Sequence, residues 1–235
     1  MNLLQSFPKL PYHRIRDDRP KRISDHKTLV GIVDSATELR AKVSYVDDPV
    51  CLLSILQFEF PKLGNWTADD RHFLDLEGRP VDKRLEAFCD FRKGREVFLR
   101  EWVFEAIVEG YAVHGEAFFK ASESLGHEFG HVFTQNHKSK IAARNRGCEG
   151  STNKRVAHNR VVDRAKDWLK VNTENADLEE EADIFCYALH VPVAKLRDSP
   201  NLKQVAEKYN INSEMAYQCA LLAKDYYRAQ AVLSK

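Results

Sequence analysis

The chain has 235 residues, a formal net charge of +1 at pH 7 and 43% hydrophobic residues. This composition is typical of a soluble globular protein with one large core, and a charge near zero excludes a general attraction to nucleic acids or anionic membranes. The five cysteines form no C-x-x-C pair, which argues against a disulfide framework and against a cysteine zinc site. The scattered cysteines fit a reducing compartment, and no apolar run approaches the roughly 18–20 residues that span a membrane, so we expect a cytoplasmic protein with no membrane partner.

The N-terminal part of the chain predicts an arm followed by helices. Residues 1–27 combine prolines with mixed charges, which indicates a flexible N-terminal arm. Thr28–Val33 is a β-prone run, and Ser35 with Glu38 three residues later forms a capping box that would start a helix. Helical spacing of apolar residues returns in Val50–Phe58.

The next stretch is expected to form a small antiparallel sheet. Patches of strand length occur at Arg71–Leu76, Ala87–Phe91 and Glu96–Leu99, and glycines or prolines separate them. Trp102–Glu109 then shows the apolar face of a helix. Gly110 would end that helix, because glycine readily adopts the left-handed conformation.

The helix predicted over Phe118–Gln135 carries the motif His127-Glu-Phe-Gly-His131, which reads H-E-x-x-H. Histidines four residues apart project from the same face of a helix, so both imidazoles can bind one metal ion. Glu128 follows the first histidine directly, where its carboxylate can take a proton from a water molecule on that ion. The motif therefore predicts a zinc site with a general base beside it.

The connection after this helix, residues 138–177, is rich in basic residues and contains a Gly-, Ser- and Asn-rich stretch at Arg144–Asn153. We expect a basic insertion that could steer an acidic partner or make weak contact with nucleic acid through residues 138–166. A solvated loop without a partner is the simpler interpretation of the same composition.

A catalytic zinc requires a third protein ligand, and two residues compete for this role. Glu179 opens the predicted helix Leu178–His190, and Asp183 lies four residues later on the same face, where it could accept a hydrogen bond from a ligand histidine. The alternative ligand is His137, because the spacing from the first histidine matches the metzincin pattern H-E-x-x-H-x-x-G-x-x-H, except that Thr134 replaces the glycine.

The backbone argues against the metzincin interpretation. The glycine of that pattern turns the chain out of the helix, and the β-branched Thr134 is a poor residue for the positive φ that such a turn uses. Ser213–Tyr217 mimics a metzincin Met-turn, but Met215 falls on the apolar stripe of a helix predicted over Ser213–Gln230 and is expected in the core. Glu179 is therefore favoured, with His137 as the alternative metal ligand.

Two motifs occur together: His-Glu-Phe-Gly-His at 127–131, and Glu179-x-Glu-Ala-Asp-x-Phe followed by Leu189-x-x-Pro. In this combination the chain resembles the ImmA/IrrE family of zinc metallopeptidases, over roughly residues 35–195. The resemblance implies that His127, His131 and Glu179 hold the zinc and that Glu128 is the general base of peptide hydrolysis. Members of this family cut or inactivate helix-turn-helix transcriptional repressors, so the implied partner is one specific repressor.

These elements predict an α+β fold: a mostly helical, zincin-like metallopeptidase domain with a small antiparallel sheet beside the H-E-x-x-H helix. We expect this domain over residues 28–198, with the C-terminal helices of residues 199–235 packed on it. Two other functions fit the same sequence. One is a DNA-binding regulator with a structural zinc, and the other is an inactive relative that sequesters its partner. The sequence leaves the oligomeric state open.

Overall fold

The computed structural model describes residues 26–74, 78–80, 85–90, 95–134, 176–197 and 201–235. Most of these residues are helical, and the strands form one three-stranded sheet, so the predicted α+β class is confirmed. Residues 1–25 of the predicted N-terminal arm and residues 138–175 of the predicted basic insertion lie outside the described residues.

The described helices, in chain order, are α1 (His26–Val43), α2 (Leu52–Ser54), α3 (Glu101–Glu109), α4 (Tyr111–His114), α5 (Glu116–Phe133), α6 (Ala176–His190), α7 (Leu202–Tyr209) and α8 (Ser213–Leu233). A π-helical turn (Ile55–Glu59) and a 3-10 turn (Phe60–Lys62) continue α2, and another 3-10 turn (Val193–Leu196) follows α6. Gly110 ends α3 with a φ of 80°, as predicted. None of the helices in the described part of the chain is long and apolar enough to cross a membrane.

The strands β1 (Asn65–Ala68), β2 (Ala87–Asp90) and β3 (Glu96–Leu99) form a sheet in the order β1-β3-β2. The central strand β3 pairs antiparallel with β2 but parallel with β1, so the prediction of a purely antiparallel sheet is wrong. The strand predicted at Arg71–Leu76 is also wrong, because Asp70–Phe73 forms a 3-10 turn. Asp69 caps this turn by accepting a hydrogen bond from the backbone N–H of Arg71 at 2.9 Å.

The helix α1 is continuous, which contradicts both the β run predicted at Thr28–Val33 and the helix start predicted at Ser35. Ser35 lies inside the helix, and its hydroxyl donates to the carbonyl of Gly31 at 2.8 Å. Burial of one helical stripe overrides the local β preference of the branched side chains. Residues 26 and 27, predicted as part of the arm, already belong to α1. The buried stripe consists of Leu29, Ile32, Val33, Ala36 and Leu39.

The core that positions the candidate site is built around α6. Helices α5 and α1 pack against α6, and α8 packs against α1 and α6. Arg40 of α1 is buried and donates to the carbonyls of Leu189 (2.8 Å) and His190 (3.1 Å) at the end of α6. These carbonyls have no partner within their own helix, so the arginine satisfies them and anchors the C-terminus of α6 to α1.

Candidate metal centre

Two histidines of α5 share one face of the helix. His127 and His131 lie one turn apart, with ring centroids separated by 4.7 Å and ring planes at 84°. Their Nε2 atoms are 3.1 Å apart. The neighbouring Leu125 and Phe129 are fully buried, so the core fixes the orientation of the helix and hence of the two imidazoles.

Two glycines of α5 let α6 approach this face closely. A Cβ built on Gly130 would lie 2.6 Å from both the Cα and the carbonyl oxygen of Ala182 in α6. A Cβ on Gly126 would lie 2.7 Å from Cε1 of His190 and 2.8 Å from Sγ of Cys186. Only glycine permits backbones to pack at this distance. This role of the two glycines was not predicted from the sequence, although glycines four residues apart are a visible signal of close helix packing.

The close contact of Gly130 with Ala182 places Glu179 beside both histidines, because Glu179 lies one turn before Ala182 on α6. Its Oε2 is 3.1 Å from Nε2 of His127, and its Oε1 is 3.5 Å from Nε2 of His131. Around a tetrahedral zinc with bonds of about 2.0–2.1 Å, ligand atoms are about 3.3 Å apart. The three side chains are therefore separated by the distances that a shared zinc ion requires.

Asp183 contacts the other nitrogen of His127, with 2.7 Å between Oδ1 and Nδ1. A carboxylate in this position holds the proton on Nδ1 and directs the Nε2 lone pair towards Glu179. A lone pair that faces a carboxylate at 3.1 Å is repelled unless a proton or a metal ion lies between them. The arrangement of donor atoms therefore fits a bound cation.

The pKa shifts in this cluster indicate the same need for positive charge. Burial lowers the pKa of His127, but Asp183 and Glu179 outweigh burial and hold that pKa well above its usual value. Burial raises the pKa of Glu179, yet the two histidines bring it well below its usual value. Oε1 of Glu179 is buried and accepts no hydrogen bond. A divalent cation bound between these side chains would supply positive charge at the same place.

Glu128 is buried beside this cluster with 3% of its surface exposed. His127, Glu128 and His131 each offer a ligand atom within 4.8 Å of the others, so this group could hold a metal ion by itself. Oε2 of Glu128 is buried and accepts no hydrogen bond, which is costly for a carboxylate. The oxygens of Glu179 lie 3.1 and 3.5 Å from the two Nε2 atoms, so Glu179 suits the third ligand position and Glu128 stays available as a base.

The structure describes two of the three features considered for a metzincin site, Thr134 and Met215. His137 lies outside the described residues. Thr134 follows α5 with an extended backbone (φ −73°, ψ 123°), and its hydroxyl donates to the carbonyl of Gly130 at 2.5 Å. Met215 lies inside α8 and is buried, as predicted, so Ser213–Tyr217 is not a turn.

Comparison of the chain with protein-family models, with curated proteins and with solved structures finds no match. The likeness to ImmA/IrrE metallopeptidases therefore rests on the two motifs of the sequence. Any function must be inferred from the residues and the geometry of the centre.

Proposed function

We propose that this protein is a zinc-dependent endopeptidase. The observation that carries the proposal is the convergence of Nε2 of His127, Nε2 of His131 and the carboxylate of Glu179 at 3.1–3.5 Å. Two imidazoles and one carboxylate suit zinc, and three protein ligands leave a fourth position open, as catalytic sites do and structural sites do not. The buried, unpaired carboxylate oxygen of Glu128 beside them is the group that such a site needs as a base.

When bound, the metal ion would supply Lewis acidity that lowers the pKa of a water molecule towards about 7 and polarises the scissile carbonyl. Glu128 accepts the proton of the attacking water and delivers it to the leaving amine. Asp183 holds the proton on Nδ1 of His127, which keeps Nε2 available as a ligand. The carboxylate of Glu179 contributes the negative charge that retains the cation.

A specific protein substrate is supported by the resemblance to ImmA/IrrE metallopeptidases. We take the substrate to be a helix-turn-helix repressor, the domain to be zincin-like, and the location to be cytoplasmic. The basic residues of 138–166 would then steer the acidic regions of that partner towards the centre.

The ligand set is tested first, by the metal content of the purified protein after zinc loading and dialysis. We expect about one zinc per chain in the wild type and in His137→Ala, and a loss of zinc in Glu179→Ala. Glu38→Ala, a change on the exposed side of α1, serves as the matched control and should retain zinc. Loss of zinc in His137→Ala with retention in Glu179→Ala would instead assign a metzincin-like site.

The reaction is tested with zinc-loaded protein and helix-turn-helix repressors encoded beside its gene, with cleavage followed by mass spectrometry. Glu128→Gln should retain the metal but lose cleavage by about 10²–10⁴-fold, because general-base catalysis contributes this much. If wild type and Glu128→Gln bind a repressor equally and neither cuts it, the protein sequesters its partner. Binding of DNA with no effect of Glu128→Gln would point to a regulator with a structural zinc.

A further inference from the structure

The strand β1 forms one edge of the sheet within the described part of the chain. The hydrogen bonds to the β3 side begin at Asn65, whose N–H donates to the carbonyl of Arg95 (2.8 Å), and end at Asp69, whose N–H donates to the carbonyl of Leu99 (3.1 Å). Residues 65 and 69 of this edge therefore face β3. In a parallel ladder every second residue bonds to the neighbouring strand. The N–H and C=O groups of Trp66 and Ala68 therefore point away from β3, towards the open edge.

A groove of about 410 Å³ lies along this edge. Trp66, Thr67 and Ala68 form one wall, and Phe104 of α3 contributes to the other. The rings of Trp66 and Phe104 contact each other, with centroids 5.1 Å apart, and both side chains are only partly buried. The groove thus offers an aromatic surface directly beside backbone groups that can each form a hydrogen bond.

The same groove has an acidic wall, formed by Glu101 and Glu105. Both residues are exposed, and neither carboxylate forms an ion pair with another residue of the described ranges. Arg71 lies near enough to Glu101 to interact with it, but Asp69 holds its guanidinium at 2.5–3.0 Å. Like charges four residues apart destabilise a helix, so a cationic ligand in the groove would relieve a repulsion in α3.

We propose that this groove binds an extended, basic segment of a partner protein, which adds to the sheet as a strand beside β1. Trp66 and Ala68 would form the backbone hydrogen bonds, as in other complexes that extend a sheet at its edge. Arginine or lysine side chains of the segment would lie over Trp66 and Phe104 and reach the two glutamates. Charge complementarity selects a basic partner over an acidic one.

This surface is separate from the candidate metal centre. The opposite edge strand, β2, is the one that approaches the histidine helix, where Sγ of Cys89 lies 3.4 Å from the carbonyl oxygen of Glu128. β3 lies between β2 and β1. The inference therefore does not depend on the proposed peptidase activity, and a segment could dock at β1 whether or not the centre holds a metal.

The test uses the full chain and a seven-residue peptide of alternating threonine and arginine, with a threonine–glutamate peptide for comparison. Binding is followed by ¹H–¹⁵N NMR and by amide hydrogen exchange. We expect the arginine peptide to bind and to slow exchange of the Trp66 and Ala68 amides. The Thr67 amide already points to β3 and should change little. Equal binding of the two peptides, or no binding at millimolar concentration, would overturn the proposal.

Two variants separate the backbone contribution from the charge. Ala68→Pro removes an outward N–H without a bond to β3, so it should abolish binding while the fold is retained. Replacing both Glu101 and Glu105 with glutamine should weaken binding by about tenfold or more, whereas Glu38→Gln on α1 should not. Unchanged affinity in Ala68→Pro would exclude strand addition. Self-association that Ala68→Pro abolishes would assign the edge to a second copy of this chain and refute a basic partner.

Discussion

Replacing Gly130 with alanine tests whether the crossing of α5 and α6 creates the candidate metal centre. The substitution leaves every proposed ligand in place. The added Cβ would lie 2.6 Å from the backbone of Ala182, whereas ordinary contacts begin at 3.4 Å. Since backbone atoms cannot rotate away as a side chain can, the two helices must separate by about 0.8 Å.

This separation would move Glu179 away from the histidines. The contact of 3.1 Å between its Oε2 and His127 Nε2 would lengthen to nearly 4 Å, and metal sites tolerate changes of only about 0.2 Å in their bond lengths. We expect Gly130→Ala to weaken zinc binding by about 10–100-fold. The overpacking should also cost about 1–3 kcal/mol of stability, partly offset by roughly 0.5–1 kcal/mol from the better helix propensity of alanine.

Zinc affinity is measured by competition with a chromogenic chelator, and stability by urea denaturation of the metal-free protein. Gly31→Ala is the matched control, because Gly31 is an exposed glycine of α1 and a Cβ there meets no atom within 4 Å. Gly126→Ala should have a smaller effect than Gly130→Ala, since its Cβ would meet only side-chain atoms of His190 and Cys186. A folded Gly130→Ala protein that binds zinc as tightly as wild type would refute the reasoning.

Three further predictions concern residues around the centre. Asp183→Asn keeps all proposed ligands but weakens the hydrogen bond from Nδ1–H of His127, so zinc affinity should fall about 10–100-fold in the chelator assay. Unchanged zinc affinity would show that Asp183 does not support metal binding. Burial lowers the pKa of His190 in the folded protein to about 4, whereas a histidine in the unfolded chain has a pKa of about 6.5. As the pH falls below about 6.5, the unfolded chain therefore takes up a proton before the folded protein does. This difference should lower the free energy of unfolding by about 2 kcal/mol between pH 7 and pH 5. Urea denaturation of His190→Leu should show a correspondingly smaller loss over that pH range than the wild type. Arg40→Met leaves the carbonyl of Leu189 without its donor and should cost about 1–3 kcal/mol by urea denaturation, whereas an unchanged midpoint would show that water replaces the arginine.

The sequence determined the local features of the site. Histidines four residues apart on a helix must share a face, so His127 and His131 could be placed together from their spacing. The positions of α3 and α5 followed from apolar periodicity, and Gly110 marked a helix end that the structure contains. Each of these features depends on contacts within a few residues along the chain, which is the range over which sequence patterns are informative.

Local patterns failed where distant parts of the chain decide the structure. The β-branched residues of Thr28–Val33 became helical because α1 buries a stripe against α6 and α8. β1 was missed because it is only four residues long, and its parallel partner β3 lies about 30 residues further on. The mixed sheet could not be predicted for the same reason, since the residues of two strands do not indicate whether they pair in parallel across a long connection.

Tertiary structure also decided which carboxylate faces the histidines. The sequence offered Glu179 as a third ligand with His137 as its rival, and spacing alone could not bring Glu179 within 3.1 Å of His127. That distance arises where Gly130 and Ala182 allow two helices, far apart in the chain, to cross without a side chain between them. The periodicity of one helix is a local property of its backbone, whereas the crossing of two helices is set by packing between surfaces that only the folded chain brings together.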